Sequence, residues 1–231
     1  MIPNAEGGGS MQQIAIIGAG GFAREVADIV DAANALHPTF DLLGYVVDAR
    51  YGAPGTLVNE RPILGDLAWF DGRQRDVLAV CGVGAPQDRR QIVERALARG
   101  IRFASLVHPS VIRSRWVTIA EGVVIAAGCI LTNNIRIGPH VHLNLDCTVG
   151  HDVSFEEYAT LAPGVHVSGN VRLEQGCYVG TGANLIEKKT LGAWSVVGAG
   201  STIVTDVPAN STVVGVPGKV VKTREAGWHL S

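Results

Sequence analysis

The sequence predicts a small α/β domain followed by a parallel β-helix, and three observations carry this prediction. Large apolar residues recur at every sixth position, fifteen times in succession from Ile119 to Ile203. Four positions after each of them stands a residue that is mostly small or β-branched, and only Lys189 plainly interrupts this second series. Upstream, over residues 12–107, strand-like and helix-like segments alternate.

The six-residue period does not fit an amphipathic α-helix, whose apolar residues recur every 3.6 positions on average. It is typical of a hexapeptide β-helix, in which each step is one short strand and a turn. Three steps close a triangular coil, and stacked coils bury a continuous apolar column. About half of the residues of an ordinary domain are apolar, so an unbroken series of this length rarely arises by chance.

Composition excludes several classes of partner. The chain has 231 residues, a net charge of −2 and 17% charged residues, and it has no basic patch of the kind that binds nucleic acid. No apolar run reaches the roughly 18 residues of a membrane span. Residues 1–10 end in a Gly/Ser stretch, and we interpret them as a tag or flexible leader.

The four cysteines show no CxxC or Cys/His metal spacing. Cys129, Cys147 and Cys177 all occupy the smaller inward position of the six-residue step. We therefore expect buried free thiols, which fit a reducing cytoplasm.

A strand over residues 12–17 leads into a glycine-rich turn, Gly18–Ala23, and then a helix from Arg24 to about Leu36. The turn matches G-x-G-x-x-A, the loose dinucleotide fingerprint, and such a turn lets backbone N–H groups approach a phosphate at a helix N-terminus. The motif alone leaves a purely structural βαβ unit open.

The remaining N-terminal elements predict an open, Rossmann-like parallel sheet with helices on its faces. The expected elements are strands at 42–48, 77–83 and 101–107, a short extended piece at 62–66, and a helix at 87–99. The ligand edge of such a sheet lies at the carboxyl ends of its strands. The Gly18–Phe22 turn, Asp48 and Gly84 fall there, and Asp48 could contact a nucleoside or stand in a solvated turn.

His151 and Asp152 fall at a corner of the predicted coil and point outward. Histidine is a natural general base near neutral pH, and an adjacent carboxylate can orient its ring, although an ordinary surface histidine has the same register. Asn144, seven residues earlier, could bind a ligand near the same corner. The other histidines of the repeat, His140, His142 and His166, lack the spacing of a zinc site, so no metal is predicted.

Five motifs together resemble the NeuD/PglD-type acyltransferases, which are nucleotide-amino-sugar N-acetyltransferases. The resemblance covers residues 12–221 and is carried by Gly18–Ala23, Gly44–Asp48, His108-Pro109, Asn144 with Val149–Asp152, and Val214–Lys219. It implies a left-handed β-helix. The expected division is a leader at 1–10, a sugar-nucleotide domain at 11–108 and an acetyltransferase domain with its tail at 109–231.

The resemblance also implies an activity. It is N-acetylation, from acetyl-CoA and without a metal, of a nucleotide-linked 4-amino-4,6-dideoxyhexose for a surface glycan such as lipopolysaccharide O-antigen. The enzyme would be a cytoplasmic homotrimer with its active sites between subunits. The implied catalytic residues are His151 and Asp152. The implied substrate-binding residues are Gly18, Gly20, Gly21, Phe22, Asp48, Gly84 and Asn144. The implied acetyl-CoA contacts are Thr160, Gly169, Thr181, Gly198, Pro217 and Lys219.

Two departures from the family pattern affect the site. Phe22 stands where many members have histidine, and Thr160 stands where some have a second histidine near the thioester. The nucleotide (UDP, GDP or dTDP) is left open. The alternatives are O-acetylation of a sugar or small hydroxyl compound, a non-catalytic nucleotide-sugar-binding protein, and an NAD-linked enzyme that rests on the glycine-rich turn alone.

Overall fold

The computed structural model describes residues 11–230, and the expected leader at 1–10 lies outside them. An α/β domain comes first in the chain. Its elements are β1 (Gln12–Ile17), α1 (Gly21–Leu36), β2 (Phe40–Val46), β3 (Leu57–Val58), β4 (Arg61–Gly65), β5 (Val77–Cys81) and α2 (Pro86–Leu97), with 3₁₀ turns at Ala49–Tyr51 and Leu67–Phe70. The strands lie in the order β3-β4-β2-β1-β5, and all neighbours are parallel except β3 and β4.

The glycine-rich turn brings α1 close to the end of the sheet. Gly18 adopts a φ of +111°, which favours glycine. A Cβ atom on Gly82, at the end of β5, would lie 2.7 Å from the Cα atom of Ala23. α1 begins at Gly21, three residues before the expected start at Arg24.

The expected fourth strand of this sheet, residues 101–107, is divided between two sheets. Phe103 makes only an isolated parallel bridge with Ala79. Leu106 instead donates its backbone N–H to Val123, and β6 (Leu106–Val107) pairs with β9 (Val124–Ile125) of the β-helix. The β-helix therefore begins at Leu106, before the predicted start of its domain at 109.

Three sheets, parallel except for the last pair of strands in the first, form the faces of the β-helix. The first face contains β6, β9, β12 (His142–Leu143), β15 (Thr160–Leu161), β18 (Tyr178–Val179), β21 (Val196–Val197), β23 (Ser211–Val214) and β24 (Lys219–Thr223). The second face contains β7 (Ile112–Arg113), β10 (Ile130–Leu131), β13 (Thr148–Val149), β16 (His166–Val167), β19 (Asn184–Leu185) and β22 (Thr202–Ile203). The third face contains β8 (Val117–Ile119), β11 (Ile135–Ile137), β14 (Ser154–Phe155), β17 (Arg172–Leu173) and β20 (Thr190–Leu191).

We call the turn from the first to the second face corner 1, that from the second to the third face corner 2, and that from the third to the first face corner 3. Strand partners are one coil apart, as in the pairing of Leu143 with Leu161. The predicted inward residues from Ile125 to Ile203 are buried, and Ile119 is half-buried. The three repeat cysteines and Cys81 are free and buried. The predicted register is therefore confirmed.

The backbone conformation at the corners follows a second period of six residues. Every sixth residue from Gly122 to Gly200 has φ in the left-handed region. Outside glycine this conformation is unfavourable, and asparagine and aspartate tolerate it best. Asp152, with φ 59°, occupies one of these positions, so its residue type also suits the turn.

The tail folds back onto the molecule. β23 continues the first face and forms an antiparallel hairpin with β24. A 3₁₀ turn at Trp228–Leu230 follows. The His229 ring stacks on Trp194 with a centroid separation of 3.8 Å and lies 3.1 Å from the Arg90 guanidinium of α2. These contacts of His229 hold the end of the tail against the β-helix and α2. None of the helices among residues 11–230 is long and apolar enough to cross a membrane.

The register predicts that a charge is tolerated outside the coil but not inside it. Val165 is fully buried in the apolar column, so Val165→Asp should lower the free energy of unfolding by about 3–5 kcal/mol or prevent folding, because it buries an unpaired charge. Thr118 is exposed on the third face, and Thr118→Asp is the matched control. Denaturant unfolding measures both. An unchanged midpoint for soluble Val165→Asp protein would show that this side chain does not point inward.

Candidate active site

At corner 2, directly after β13, His151 and Asp152 form a hydrogen-bonded pair. The distance from His151 Nδ1 to Asp152 Oδ2 is 2.7 Å, and the two side chains are 63% and 45% exposed. Asn134, one coil earlier, donates its amide to Asp152 Oδ1 at 3.1 Å. The carboxylate is thus held from both sides while the imidazole faces solvent.

These hydrogen bonds determine which nitrogen of the His151 imidazole carries the hydrogen. The bond from His151, followed by that from Asn134, lowers the pKa of the Asp152 carboxyl below its ordinary value. An ionised carboxylate only accepts hydrogen bonds, so the hydrogen must lie on His151 Nδ1. The other ring nitrogen of the neutral imidazole, Nε2, is then free to accept a proton. This is the arrangement of a general base with an orienting carboxylate.

Gly169, one coil after His151, supports the ring. A Cβ atom at Gly169 would lie 2.6 Å from His151 Nε2 and 2.7 Å from Cε1. Only glycine leaves room for the imidazole in this position. The expected contact between Gly169 and acetyl-CoA remains a prediction. The space that the His151 ring occupies already explains why this residue is glycine.

A cavity of about 660 Å³ lies at the carboxyl edge of the α/β sheet. Asp48 lies at this cavity with its carboxylate 3.6 Å from the Arg95 guanidinium and 3.8 Å from that of Arg50. The residues of the sequence-predicted substrate set that line it are Gly18, Gly20, Gly21, Phe22, Asp48 and Gly84. The structure therefore brings together all of that set except Asn144.

A second cavity, of about 550 Å³, lies between the α/β domain and the first face. Phe22, Gly84 and Ala85 line both cavities, so the two adjoin. The β-helix contributes a column of outward residues from successive coils, His142, Thr160, Tyr178 and Val196. Asn144 and Thr181 also line this second cavity.

Arg89 of α2 joins the two domains beneath this cavity and is completely buried. Its Nη1 donates to the backbone carbonyls of Val83 and Gly84 at 3.1 and 2.9 Å and lies 3.1 Å from His142 Nδ1. Its Nη2 donates to the Thr160 hydroxyl at 2.6 Å and to the Tyr158 carbonyl at 2.7 Å. Burial lowers the pKa of Arg89 to about 10, which leaves it charged at neutral pH.

Sequence reasoning did not identify Arg89 or the role of His142. A signal for Arg89 was present, because Arg89, Val93 and Ala96 follow the i, i+4, i+7 spacing of a buried helical stripe. His142 stands at an outward position of the repeat, but the α/β domain covers the first face and buries it. The sequence pattern of the repeat does not show that another domain covers this face.

Within one chain, Asn144 and His151 do not share a corner, contrary to expectation. Asn144 follows β12 at corner 1, whereas His151 follows β13 at corner 2. One six-residue step carries the chain past one corner, so residues seven apart lie at successive corners. His151 lines neither cavity.

The expected acetyl-CoA contacts also lie in separate places. Thr160 is on the first face, bonded to Arg89, and Gly169 is at corner 2 under His151. Thr181 and Gly198 lie at corner 1, between first-face and second-face strands. Pro217 and Lys219 lie at the C-terminal end, at the turn into β24 and at its first residue. A single chain does not assemble them around His151.

No group of three or more His, Cys, Asp or Glu side chains within residues 11–230 is arranged to hold a metal ion. His140 and His142 are instead packed at the interface between the domains. His140 stacks on Tyr158, and His142 lies against Phe22.

Comparison with known proteins places this architecture among the hexapeptide-repeat acyltransferases. The PglD N-terminal domain family matches residues 13–96. GDP-perosamine N-acetyltransferase of Escherichia coli O157:H7 is 26% identical over 92% of this chain and 97% of its own.

Two solved structures extend the likeness over nearly the whole chain. The acetyltransferase domain of PglB from Neisseria gonorrhoeae FA1090 is 30% identical, with a TM-score of 0.82 and coverage of 91% of this chain and 100% of its own. A histidine-to-asparagine variant of perosamine N-acetyltransferase from Caulobacter crescentus, in complex with CoA and GDP-perosamine, is 27% identical. Its TM-score is 0.83, with coverage of 92% of this chain and 98% of its own. The chain belongs to the NeuD/PglD-type family of sugar acyltransferases, and its β-helix is the left-handed one of that family.

The buried histidines predict acid sensitivity of the fold. Burial, and next the charge of Arg89, lower the pKa of His140 to about 4 and that of His142 well below its ordinary value. The unfolded chain takes up protons below about pH 6.5, whereas the folded protein does not until pH falls further. The free energy of unfolding should therefore decrease from pH 6.5 toward pH 4, by about 1.4 kcal/mol per pH unit for each such histidine.

Denaturant titrations at several pH values in this window measure the slope. His140→Asn removes one buried titrating group and suits the left-handed φ of 55°, so it should make the slope shallower. His37→Asn, at an exposed histidine of the α/β domain, is the control and should keep the wild-type slope. Equal slopes for wild type and His140→Asn would contradict the assignment of His140 as a neutral buried group.

Proposed function

We propose that this protein is an acetyl-CoA-dependent N-acetyltransferase that acts on the amino group of a nucleotide-linked amino sugar. The observation that carries the proposal is the His151–Asp152 pair, whose geometry leaves Nε2 free and outward. The whole-chain likeness to perosamine N-acetyltransferase, solved with CoA and GDP-perosamine, supports the reaction class.

The two adjoining cavities suit a sugar nucleotide. In the proposal, backbone N–H groups of the Gly18–Gly21 turn hold the diphosphate at the N-terminus of α1, and Asp48 meets the nucleoside. The sugar, a 4-amino-4,6-dideoxyhexose, then extends past Phe22 and Gly84 into the second cavity toward Asn144. The α/β domain thereby serves as the sugar-nucleotide domain.

The position of His151 favours an active site shared between subunits. The α/β domain covers the first face, and the third face carries outward Arg136 and Arg172. The second face exposes Ile112 and Ile130, which are 65% and 41% accessible. A homotrimer packed around the second faces would bring corner 2 of one chain, with His151, beside corner 1 of the next. Closed cyclic symmetry is the usual form of such assemblies.

Acetyl-CoA would lie in the groove between neighbouring subunits. We propose that its contacts come from corner 1, corner 2 and the C-terminal end. The contributing residues are Thr160, Gly169, Thr181, Gly198, Pro217 and Lys219.

The reaction then needs one base and no covalent enzyme intermediate. The sugar nitrogen attacks the thioester carbonyl, a new C–N bond forms, and the C–S bond breaks as coenzyme A leaves. His151 Nε2 takes the proton that the amine loses, and Asp152 stabilises the resulting imidazolium. The thiolate of the leaving group can accept that proton and restore the neutral ring. Holding both substrates in one cleft supplies much of the rate acceleration.

We also propose that the protein is cytoplasmic and that its product is used in the assembly of a surface glycan such as O-antigen. The four free buried thiols fit a reducing compartment. Nucleotide-linked sugars are activated precursors of glycans, so the proposed substrate class fits this role.

The replacement of His151 tests the mechanism. His151→Asn should fold normally, because the side chain is exposed, and should lower kcat by about 10²–10⁴ with little change in KM for acetyl-CoA. Thiol release with UDP-, GDP- and dTDP-linked 4-amino-4,6-dideoxyhexoses and their 4-hydroxy counterparts measures it. The same panel separates N-acetylation from O-acetylation and from a non-catalytic binding protein.

His37→Asn is the control, since His37 is also exposed and follows α1 in the α/β domain, away from the second faces of the β-helix. It should retain wild-type turnover. His151→Asn protein that turns over at the wild-type rate from acidic to neutral pH would exclude His151 as the base.

A further inference from the structure

His142 presents one ring nitrogen that the protein itself does not use. The residue is only 1% exposed, lines the cavity between the domains, and lies against Phe22 with a ring separation of 5.0 Å. Its Nε2 atom has no hydrogen-bond partner among the described residues. A buried polar group in that state is costly, so it marks a position where a ligand atom would be stabilised.

Arg89 determines which kind of ligand atom fits. A guanidinium has donors only, so the 3.1 Å contact between Arg89 Nη1 and His142 Nδ1 requires that Nδ1 accept. The neutral ring must then carry its hydrogen on Nε2. Burial, and next the charge of Arg89, hold the pKa of His142 well below its ordinary value. His142 therefore carries a fixed, neutral N–H donor in the wall of this cavity.

We propose that His142 is a substrate-binding residue whose Nε2–H donates to a hydroxyl oxygen of the sugar in the sugar nucleotide. The proposal rests on the proposed function and adds the orientation of the sugar. His142 does not line the cavity that contains the Gly18–Gly21 turn, so the diphosphate is not its partner.

The same geometry turns the amino group of the sugar away from His142. The neutral amine that attacks the thioester needs its nitrogen lone pair free, and a hydrogen bond accepted from His142 Nε2–H would occupy that lone pair. Asn144 gives a second donor on the same side of the cavity. Its Oδ1 accepts from the backbone N–H of Leu145 at 2.8 Å, which leaves its amide N–H groups for the ligand. Two donors select the hydroxyl-bearing edge of the sugar, and the amine is left for the base.

Two substitutions separate binding from structure. His142→Asn places an amide oxygen near the position of Nδ1, so it keeps the acceptor for Arg89 and removes the donor at Nε2. His142→Gln places an amide N–H near the position of Nε2, so it keeps the donor and removes the acceptor for Arg89. If His142 binds the ligand, His142→Asn should lose more affinity for the sugar nucleotide than His142→Gln. If His142 only holds Arg89, His142→Gln should be the more damaging substitution.

Calorimetry with the UDP-, GDP- or dTDP-linked 4-amino-4,6-dideoxyhexose that the wild type acetylates measures the effect. For His142→Asn, we expect Kd for that sugar nucleotide to rise about 5- to 10-fold, the loss typical of one hydrogen bond. The Kd for the matching nucleoside diphosphate and the KM for acetyl-CoA should not change. His142→Gln should bind the sugar nucleotide like the wild type but unfold at a lower temperature.

Wild-type affinity in His142→Asn, or an equal loss for the nucleoside diphosphate alone, would overturn the proposal. Wild-type protein that binds no member of the panel would overturn the proposed function, and this inference with it. Imidazole ¹⁵N NMR of the wild type gives a readout that needs no variant. His142 should be protonated on Nε2, and that N–H resonance should shift with the sugar nucleotide but not with the diphosphate. An Nδ1–H tautomer would contradict the proposal.

Discussion

The buried guanidinium of Arg89 is the constraint on which the arrangement of this molecule depends. It has no carboxylate partner among the described residues, and its charge is balanced by neutral acceptors, namely backbone carbonyls, the Thr160 hydroxyl and His142 Nδ1. A buried charge is tolerated only when such hydrogen bonds are in place. In the observed docking of the α/β domain on the β-helix, both domains supply acceptors to Arg89.

That docking determines the shape of the candidate substrate cleft. Gly84, whose carbonyl accepts from Arg89, lines both cavities, and so does Phe22, which lies against His142. His151 is positioned differently, by the stacking of coils and the glycine beneath its ring. In the proposed mechanism, the substrate cleft is shaped by the domain docking and the base is positioned by the coil stacking, which fits the proposal of a site assembled from two chains.

Features that depend on local geometry could be predicted from the sequence. A strict period of six determines which residues face the column, so it predicted the burial of Val165 and the exposure of His151. It did not predict contacts that arise when one domain covers another: the burial of His142, the bonds of Arg89 to His142 and Thr160, and the docking of His229. The division of residues 101–107 between two sheets was missed for the same reason, because a single apolar run does not show where its backbone changes partner. The roles assigned to the individual site residues remain predictions.

The central claim, that His151 of one chain acts on substrate held by another, is tested most directly by subunit complementation. One inactive variant is His151→Asn, and the other is Gly84→Trp, which would fill the cleft where both cavities meet. Random trimers from equal amounts of the two should recover about one quarter of wild-type activity, because one site in four combines an intact cleft with an intact neighbouring histidine. Mixed trimers of verified composition that remain inactive would contradict a site shared between subunits.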